Sequence, residues 1–483
     1  MSRVTGLHNL VNDHPVDATA LITAERRWSY GELAAATRDL AATMRADGLR
    51  GERVALMLPN GSDAVLAYLA CFASGAVAAP LNSRYAAPEV AGALRRARPR
   101  WLIVHPDRRT ILDAVPADAL HGVRVLVAPV RPPAERPGPV PEDPVPGAAP
   151  AVVFFTSGST GVPKGVVHSH DSALAVLTST SEALGDVRAD DRTQVFEPLV
   201  HVSGFIGTFT TLLAGGTVAL HEGFRPDRYV AALRRDRPTL ICTHIDVLAQ
   251  VLREPGIRRA DFASLRGVYT GGDGVPGHLH TEFATLTGLP IGVGWGMTEA
   301  IWLTVARRPP ADRDGFIGDP VGGAEIRADP TTGELLVRGP MVMSGYWEDD
   351  GLTATTLREG WLHTGDLGRS DADGGWWFTG RIKDVIVRRT SKITPGEVEF
   401  ALQQHPGVAI AAVVAAPDAD EGQVPVAFVV PRPGSTVNGP KLTEFLRPRL
   451  AAYKIPVRIH VRAQLPLTPS GKISRHDLSE AIT

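Results

Sequence analysis

The stretch TSGSTGVPKG, residues 156–165, combines glycines, hydroxyl side chains and a lysine. Glycines let a backbone approach an anion closely, and successive backbone N–H groups in such a turn can cradle a phosphate. The lysine, Lys164, adds a positive charge beside them. The composition therefore predicts a phosphate-binding loop, with these contacts: Thr156, Ser157, Gly158, Ser159, Thr160, Gly161 and Lys164.

This loop departs from the two common phosphate-binding patterns. The P-loop reads G-x-x-x-x-G-K-[ST] and opens a helix, whereas Lys164 is followed by Gly165 and by the strand-like stretch GVVHSH. The dinucleotide pattern G-x-G-x-x-G does not occur in the loop either. We therefore expect a hairpin-like loop. Taken alone, the stretch also fits a serine- and glycine-rich surface turn.

Helix and strand patterns alternate in the sequence before this loop. Ser29 and Glu32 have the spacing of a capping box at the start of a helix, and Gly48 is expected to end it. RVALMLPN then has the pattern of a buried strand, and SDAVLAYLACFASG that of the next helix. Strands alternating with helices favour an α/β fold of mostly parallel sheets with helices on both faces.

From about residue 333, short strand patterns separated by turns replace the alternating helix and strand patterns. The C-terminal part has the mixture of strands and helices of a small α+β unit. We predict a large N-terminal domain over residues 1–379 and a small C-terminal domain over 380–483.

Composition excludes several classes of protein. The formal net charge is −2, so no general basic field indicates a nucleic-acid partner. The N-terminus lacks an apolar signal core, and no apolar run is long enough for a membrane span. Cys71 and Cys242 lie far apart in apolar surroundings, which favours buried thiols and a cytoplasmic location.

Eight segments together resemble the adenylate-forming superfamily, which includes acyl-CoA synthetases, firefly luciferases and the adenylation domains of peptide synthetases. TSGSTGVPKG is similar to the signature of that superfamily. The other segments follow in family order: FEPLVHVSGF (196–205), YTGGDGVP (269–276), GWGMTEA (294–300), GELLVRGPMVMSGYW, GWLHTGDLG, GRIKDVIV and LPLTPSGKISR (465–475). The resemblance covers nearly the whole chain, which looks most like an acyl- or aryl-CoA ligase.

The resemblance implies a two-step reaction. A carboxylate attacks the α-phosphate of ATP, and a second nucleophile, most simply the thiol of CoA, displaces AMP. Lys472, on a mobile C-terminal lid domain, would bridge the carboxylate and the α-phosphate. Glu299 would hold Mg²⁺, an ion that prefers oxygen ligands, and Thr298 would donate to the α-phosphate. His201 would orient the acid, which needs no base because carboxylates are ionised near neutral pH.

The resemblance also implies the remaining contacts of the nucleotide. Asp366 would accept from the ribose hydroxyls, with Arg381 in support, and Lys383 would lie at the hinge between the domains. Lys164 would steady the β- and γ-phosphates, which leave as pyrophosphate. The adenine would lie among Gly271, Gly272, Asp273, Gly294, Trp295, Gly296 and Met297.

Three positions bear on the acid. His201 stands where peptide-synthetase adenylation domains usually carry an aspartate, which favours an aryl or polar acyl acid over an amino acid. Gly296 is expected to leave the acid tunnel open, and His244 to lie near the wall of the pocket.

Two departures from the family pattern bear on the acceptor. Val387 and Thr390 replace a usual lysine and a usual glycine, and a β-branched residue at 390 could narrow the path of CoA. Other acceptors therefore stay open: a separate carrier protein, an amine, or an arylamine that reacts with an activated small oxyanion such as nitrite. A nucleotide-binding pseudoenzyme is a third class of protein to consider, and a homodimer is a further expectation.

Overall fold

Three sheets organise the described part of the chain. The computed structural model of the protein describes residues 6–130, 144–156, 164–271, 275, 277–309, 315–372, 374–389, 391–418, 420–467 and 473–482.

The strands are numbered in chain order. They are β1 (Thr19–Ile22), β2 (Arg27–Ser29), β3 (Arg53–Met57), β4 (Val77–Pro80), β5 (Trp101–Val104), β6 (Arg124–Val127), β7 (Pro150–Thr156), β8 (Lys164–Ser169), β9 (Arg192–Val195), β10 (Thr217–Leu220), β11 (Leu240–Cys242), β12 (Gly267–Gly271), β13 (Ile291–Met297), β14 (Ala300–Ala306), β15 (Phe316–Pro320), β16 (Glu325–Ala328), β17 (Glu334–Arg338), β18 (Gly345–Tyr346), β19 (Leu357–Arg358), β20 (Trp361–Ser370), β21 (Trp376–Arg381), β22 (Ile386–Arg388), β23 (Ser391–Ile393), β24 (Val408–Asp418), β25 (Gly422–Pro431) and β26 (Arg458–Val461).

The α-helices are numbered in the same way. They are α1 (Tyr30–Ala46), α2 (Ser62–Ser74), α3 (Ala87–Ala97), α4 (His170–Ala183), α5 (Val202–Leu213), α6 (Pro226–Asp236), α7 (Ile245–Leu252), α8 (Gly277–Thr287), α9 (Asp350–Thr356), α10 (Pro395–Gln403), α11 (Gly439–Leu446) and α12 (Arg475–Glu480). Short 3-10 turns cover Leu7–Asn9, Pro106–Ala114, Ala117–Leu120, Arg259–Phe262, Ile382–Asp384 and Ala452–Lys454.

The largest sheet has fourteen strands. Along the path β13-β12-β11-β9-β10-β1 every neighbouring pair is parallel. Beyond β13 the pairing turns antiparallel, through β14, β15, β21, β20, β17 and β16. The parallel half therefore aligns the carboxyl ends of several strands at one edge, where ligands bind in open α/β sheets.

The second sheet has seven strands in the order β18-β8-β7-β4-β3-β5-β6, and it is parallel from β7 to β6. The third sheet belongs to the C-terminal part and is formed by β22 to β26. The α/β class, with large parallel sheets and a small mixed C-terminal unit, is confirmed.

Local sequence signals explain several element boundaries. Ser29 caps α1 through Glu32, as its spacing predicts, and α2 ends at Gly75 in the left-handed region at φ 74°. In the C-terminal unit, α11 ends at Leu446. Pro448 accounts for this end, because proline has no backbone N–H with which to continue the helical hydrogen bonds.

Arg381, the last residue of β21, belongs to the fourteen-stranded sheet, whereas Ile386, the first residue of β22, belongs to the C-terminal sheet. Separate apolar clusters fill the two parts; Phe205 and Leu335 lie in the N-terminal one and Val413 in the C-terminal one. The boundary between 379 and 380 stays a prediction. Among the described residues, no helix has the length and apolarity to cross a membrane.

Candidate active site

Some of the predicted site residues that the structure describes lie at the carboxyl edge of the parallel strands. β12 ends at Gly271, and β13 carries Gly294 to Met297. The loop after β9 leads to His201 at the start of α5. Chain order alone would leave these segments about 100 residues apart, whereas the parallel register of β9, β11, β12 and β13 brings their ends side by side.

Lys164, the last residue of the predicted phosphate loop, pairs with the buried carboxylate of Glu299. The lysine Nζ lies 2.6 Å from Glu299 Oε1, although 135 residues separate the two in sequence. The hydroxyl of Tyr346 donates to the same Oε1 at 2.8 Å and lies 3.1 Å from the lysine Nζ. The pair stands where β8 of the seven-stranded sheet and β18 meet the turn after β13.

Burial and pairing set the charge states of this trio. Glu299 is 3% exposed. Burial alone would lower the pKa of Lys164, but the charge and hydrogen bond of Glu299, with the Tyr346 hydroxyl, raise it above its ordinary value. Burial raises the pKa of Tyr346 to about 12, with the negative charge of Glu299 as a further cause. The lysine is therefore a cation and the tyrosine a neutral donor at neutral pH.

The main chain around Glu299 is fixed from two sides. Met343 N donates to Glu299 O at 2.8 Å, and His168 Nε2 is 2.8 Å from the carbonyl oxygen of Thr298. Burial lowers the pKa of His168, so the neutral ring fills this position. The main chain of Thr298 is thus held by β8, and that of Glu299 by the segment before β18.

A second cluster joins Trp295, Asp366 and Arg381. The indole Nε1 of Trp295 donates to Asp366 Oδ2 at 2.9 Å, and Arg381 Nε lies 3.4 Å from Asp366 Oδ1. Asp366 and Arg381 face each other across β20 and β21. Trp295 and Asp366 are both buried, which holds the carboxylate in one orientation.

His201 is half-buried at the N-terminal end of α5, and its backbone N–H donates to Pro198 O at 2.9 Å. Gly204 lies three residues after His201, and the packing around it shows why this position is a glycine. A Cβ built there would lie 2.4 Å from Pro198 O and 2.5 Å from Glu197 O. Only glycine lets the first turn of α5 pack this closely on the loop that carries His201.

The first residue of the phosphate loop presents an unsatisfied group. Among the described residues, the buried Thr156 Oγ1 has no hydrogen-bond partner. A buried hydroxyl without a partner is costly, and an anion at this place would satisfy it. Several predicted contacts lie outside the described residues: Ser157, Gly158, Ser159, Thr160, Gly161, Gly272, Asp273 and Lys472. Thr390 lies outside them as well.

The space above Gly296 is occupied. A Cβ there would lie 2.7 Å from Trp302 N and 2.9 Å from Ala300 O, because β13 and β14 form a tight hairpin. The expectation that Gly296 leaves an acid tunnel open stays a prediction, and the structure gives this glycine a second reason. The residue is glycine because the returning backbone of β14 needs its space.

The C-terminal unit places Lys383 on the surface, in the 3-10 turn Ile382–Asp384. Arg475 anchors the segment that follows position 472. Its guanidinium lies 2.6 Å from Glu399 Oε1 and 2.7 Å from Val413 O. The residue after Lys472, Ile473, pairs with Leu467, so both flanks of residues 468–472 are fixed.

Comparison with known proteins agrees with this geometry. Residues 7–347 match the family described as AMP-binding enzyme, and residues 397–472 match the AMP-binding enzyme C-terminal domain. The chain belongs to the AMP-binding enzyme family. The resemblance found in its motifs is therefore confirmed.

Relatives cover nearly the whole of this AMP-binding enzyme. A feruloyl-CoA synthase of Amycolatopsis sp is 36% identical over 95% of each chain. The crystal structure of the anthranilate CoA ligase AuaEII in complex with anthranoyl-AMP is 27% identical, with a TM-score of 0.88, over 99% of this chain and 97% of that one. The amide bond synthetase McbA from Marinactinospora thermotolerans is 30% identical, with a TM-score of 0.88, over 99% of both chains.

Sequence reasoning on this AMP-binding enzyme missed two partners of the predicted residues. Tyr346 lies within MSGYW, a segment used only as a family match, and His168 follows the phosphate loop. A tyrosine beside Gly345 gives no sign that its hydroxyl reaches Glu299. A histidine in a strand is most often a core residue. Only the sheet register brings either one to the site.

A buried acid close to the predicted pocket wall was also missed. Glu197 is 4% exposed, accepts a hydrogen bond from the Thr243 hydroxyl, and has a pKa raised by burial. His244, the residue expected at the wall, is half-buried at the start of α7.

Proposed function

We propose that this protein is an ATP-dependent, AMP-forming ligase that adenylates a small carboxylic acid and transfers the acyl group to a thiol, most simply that of CoA. One observation carries the proposal. The lysine of the phosphate loop and the carboxylate expected to hold Mg²⁺ lie 2.6 Å apart, although they come from different sheets. A nucleotide triphosphate with its cation needs both at one point.

The phosphate side is formed by Thr156, Lys164, Tyr346 and Glu299. Within the described residues, Lys164 and Tyr346 both reach Oε1 of Glu299, which leaves Oε2 suited to a hard cation. Mg²⁺ held by Glu299 would neutralise phosphate charge. Lys164 would move its charge from Glu299 toward the β- and γ-phosphates, and the unpartnered hydroxyl of Thr156 would donate to the same group.

The nucleoside side is formed by the cluster of Trp295, Asp366 and Arg381. The Asp366 carboxylate would accept from the two ribose hydroxyls, as an acidic residue does in dinucleotide sites. Trp295 acts through Asp366, because its indole N–H donates to one carboxylate oxygen and fixes its orientation. Gly271, Gly294 and Met297 would flank the adenine at the ends of β12 and β13.

Bond formation brings an anionic acid to a polyanionic nucleotide. Each pair of unit charges about 4 Å apart costs roughly 4 kcal/mol at an effective dielectric constant near 20. Lys472 is our candidate for the cation that offsets this between the carboxylate and the α-phosphate. Arg475, through its ion pair with Glu399, would orient the segment that carries Lys472. Thr298 and His201 would orient the α-phosphate and the carboxylate, and Lys383 would be the hinge.

Relatives indicate the class of acid and acceptor. Feruloyl-CoA synthase and anthranilate CoA ligase have names that state an aryl acid and CoA. We propose an aryl or short polar acyl acid, with CoA as the second substrate, in a cytoplasmic enzyme. A separate carrier protein as acceptor and a homodimer are further proposals. McbA, an amide bond synthetase by its title, keeps an amine acceptor as the second candidate.

Product analysis tests the proposal. The protein is incubated with ATP, Mg²⁺ and a panel of aryl and short acyl acids, with and without CoA, and the products are separated by liquid chromatography and mass spectrometry. We expect AMP and pyrophosphate in equal amounts, and a thioester that depends on CoA. ADP and inorganic phosphate as products, or turnover that ignores the acid, would refute the proposal.

Variants and a second acceptor complete the test. Lys472→Ala should stop AMP formation while ATP binding persists, and the exposed Lys441→Ala in the same unit should not. If acid-dependent AMP release is indifferent to CoA but rises with an arylamine or with nitrite plus an arylamine, the acceptor is not CoA.

A further inference from the structure

Tyr346 presents its hydroxyl to the carboxylate that is expected to hold Mg²⁺. The hydroxyl donates to Glu299 Oε1 at 2.8 Å, and Tyr346 itself is 6% exposed. Lys164 Nζ reaches the same oxygen at 2.6 Å. Within the described part of the chain, no donor contacts Oε2 of Glu299. The two oxygens of this carboxylate therefore differ, because two donors bind one of them and the other is left for a ligand.

The main chain fixes the ring of Tyr346 on the seven-stranded sheet. Tyr346 pairs with Val166 across β18 and β8, and the next residue, Trp347, donates its backbone N–H to Gly165 O at 2.7 Å. The backbone N–H of Tyr346 donates to Thr353 Oγ1 at 2.8 Å. The tyrosine is therefore held by strand pairing and by a helix, and its hydroxyl has little freedom to follow a group that moves.

Gly345, the residue before the tyrosine, shows how closely this segment is packed. Its φ is +147°, and a Cβ there would lie 2.8 Å from Thr353 Cγ2. Thr353 belongs to α9, which begins after Asp349, and the Asp349 carboxylate accepts from Leu352 N at 2.9 Å. A glycine is thus needed where β18 meets α9, and the two elements form one packed unit that carries Tyr346.

The same segment also fixes the main chain of Glu299. The backbone N–H of Met343, three residues before Tyr346, donates to Glu299 O at 2.8 Å. His168 Nε2 lies 2.8 Å from the carbonyl oxygen of Thr298. One short segment therefore holds both the backbone and the carboxylate of Glu299, so the hydrogen bond to Oε1 does not depend on Lys164.

We propose that Tyr346 is a positioning residue that keeps Glu299 a one-oxygen ligand for a divalent cation and thereby favours Mg²⁺ over Ca²⁺. The inference rests on the nucleotide site of the proposed function. Lys164 is expected to leave Oε1 for the phosphates, whereas Tyr346 is held by β18 and stays. Its hydroxyl then continues to occupy Oε1, and only Oε2 of Glu299 serves the cation.

The chemistry of the two ions explains the preference. Mg²⁺ demands near-ideal octahedral geometry and keeps several of its waters, whereas Ca²⁺ takes about 6–8 oxygen ligands and accepts both oxygens of one carboxylate. A carboxylate restricted to one oxygen suits Mg²⁺ and withholds a ligand atom from Ca²⁺. Hydrogen bonds to a ligating carboxylate also raise metal affinity, and losing one commonly costs roughly 10–100-fold.

ATP binding in the presence of each ion tests the proposal. Isothermal titration calorimetry gives the Kd of ATP for wild type and Tyr346→Phe at saturating Mg²⁺ and at saturating Ca²⁺, without any acid. We expect wild type to bind ATP more tightly with Mg²⁺, and this preference should fall about tenfold or more in Tyr346→Phe. In pyrophosphate exchange, the Mg²⁺ concentration for half-maximal rate should rise by a similar factor, while the rate at saturating Mg²⁺ should change less.

Controls separate positioning from the loss of a buried hydroxyl. Tyr30→Phe removes a buried hydroxyl that donates to Gly216 O at 2.8 Å, outside the predicted site, and should leave the ion preference unchanged. In a Glu299→Gln background, Tyr346→Phe should change the preference no further. Tyr346→Leu also lacks the hydroxyl and serves if the phenylalanine variant does not fold. Wild type without a preference for Mg²⁺, an unchanged preference in folded Tyr346 variants, or equal weakening with both ions would overturn the inference.

The proposed ligase and the role of Tyr346 can fail separately, because the calorimetry needs no acid. If ATP binding shows the expected loss of ion preference in Tyr346→Phe but no acid supports exchange, the ligase is refuted and the role of Tyr346 stands. If exchange depends on an acid but the ion preference ignores Tyr346, the ligase stands and the role of Tyr346 is refuted.

Discussion

Removing Lys164 should expose how much the site depends on its ion pair. At 2.6 Å, two unit charges attract by about 6 kcal/mol at an effective dielectric constant of 20, before desolvation is subtracted. Breaking a buried pair by removing one partner costs about 3–5 kcal/mol. The side chain of Lys164 is 31% exposed and the side chain of Glu299 is 4% exposed, so solvent screens one side of the pair only. For Lys164→Met we expect the lower end, a loss of about 3 kcal/mol in the free energy of unfolding.

A double-mutant cycle isolates the pair. Lys164→Met, Glu299→Gln and the double variant are compared by urea unfolding of the ligand-free protein. The double variant leaves no buried charge unpaired, so its loss should be smaller than the sum of the single losses, with a coupling energy of about 2 kcal/mol. Arg338→Met and Glu325→Gln, an exposed pair on the fourteen-stranded sheet, provide the control and should couple by less than about 1 kcal/mol. A coupling energy between Lys164 and Glu299 no larger than that of the control would show that the two buried charges do not stabilise each other.

Three further outcomes are expected. Asp366→Asn removes a charge-assisted hydrogen bond worth about 1.5–3 kcal/mol, so the KM for ATP in pyrophosphate exchange should rise roughly 10- to 100-fold; an unchanged KM would exclude Asp366 from the ribose site. Burial lowers the pKa of His170 to about 4, below its ordinary 6.5, so the unfolded state takes up the proton first as the pH falls. The free energy of unfolding should drop by up to about 3 kcal/mol between pH 6.5 and 4, and His170→Gln should flatten this slope; an equal slope in the variant would contradict the assignment. Gly204→Ala should destabilise by about 1–3 kcal/mol through overlap with Pro198 O, whereas Gly92→Ala, on an exposed helix face with free space, should not; similar effects of the two would argue against the close packing.

The fold class could be predicted from the sequence because it depends on local residue patterns, whereas the membership of the site stays a prediction. The capping box at Ser29 and the stop at Gly75 are read directly from residue types. The ordered motifs predict Lys164, Glu299 and Asp366 as nucleotide contacts, and the structure pairs Lys164 with Glu299 and Trp295 with Asp366.

The features of the site that could not be predicted from the sequence depend on the register between distant strands. That Tyr346 donates to Glu299 follows from the pairing of β18 with β8, which no spacing in the chain encodes. Gly296 suggested open space, but glycine is equally required where another backbone approaches.

The most direct test of adenylation is acid-dependent exchange of labelled pyrophosphate into ATP without CoA. We predict exchange with at least one short aryl or acyl acid, no exchange without an acid, and loss of exchange in Lys472→Ala while ATP still binds. Wild-type protein that binds ATP but exchanges no pyrophosphate with any acid of the panel would contradict it.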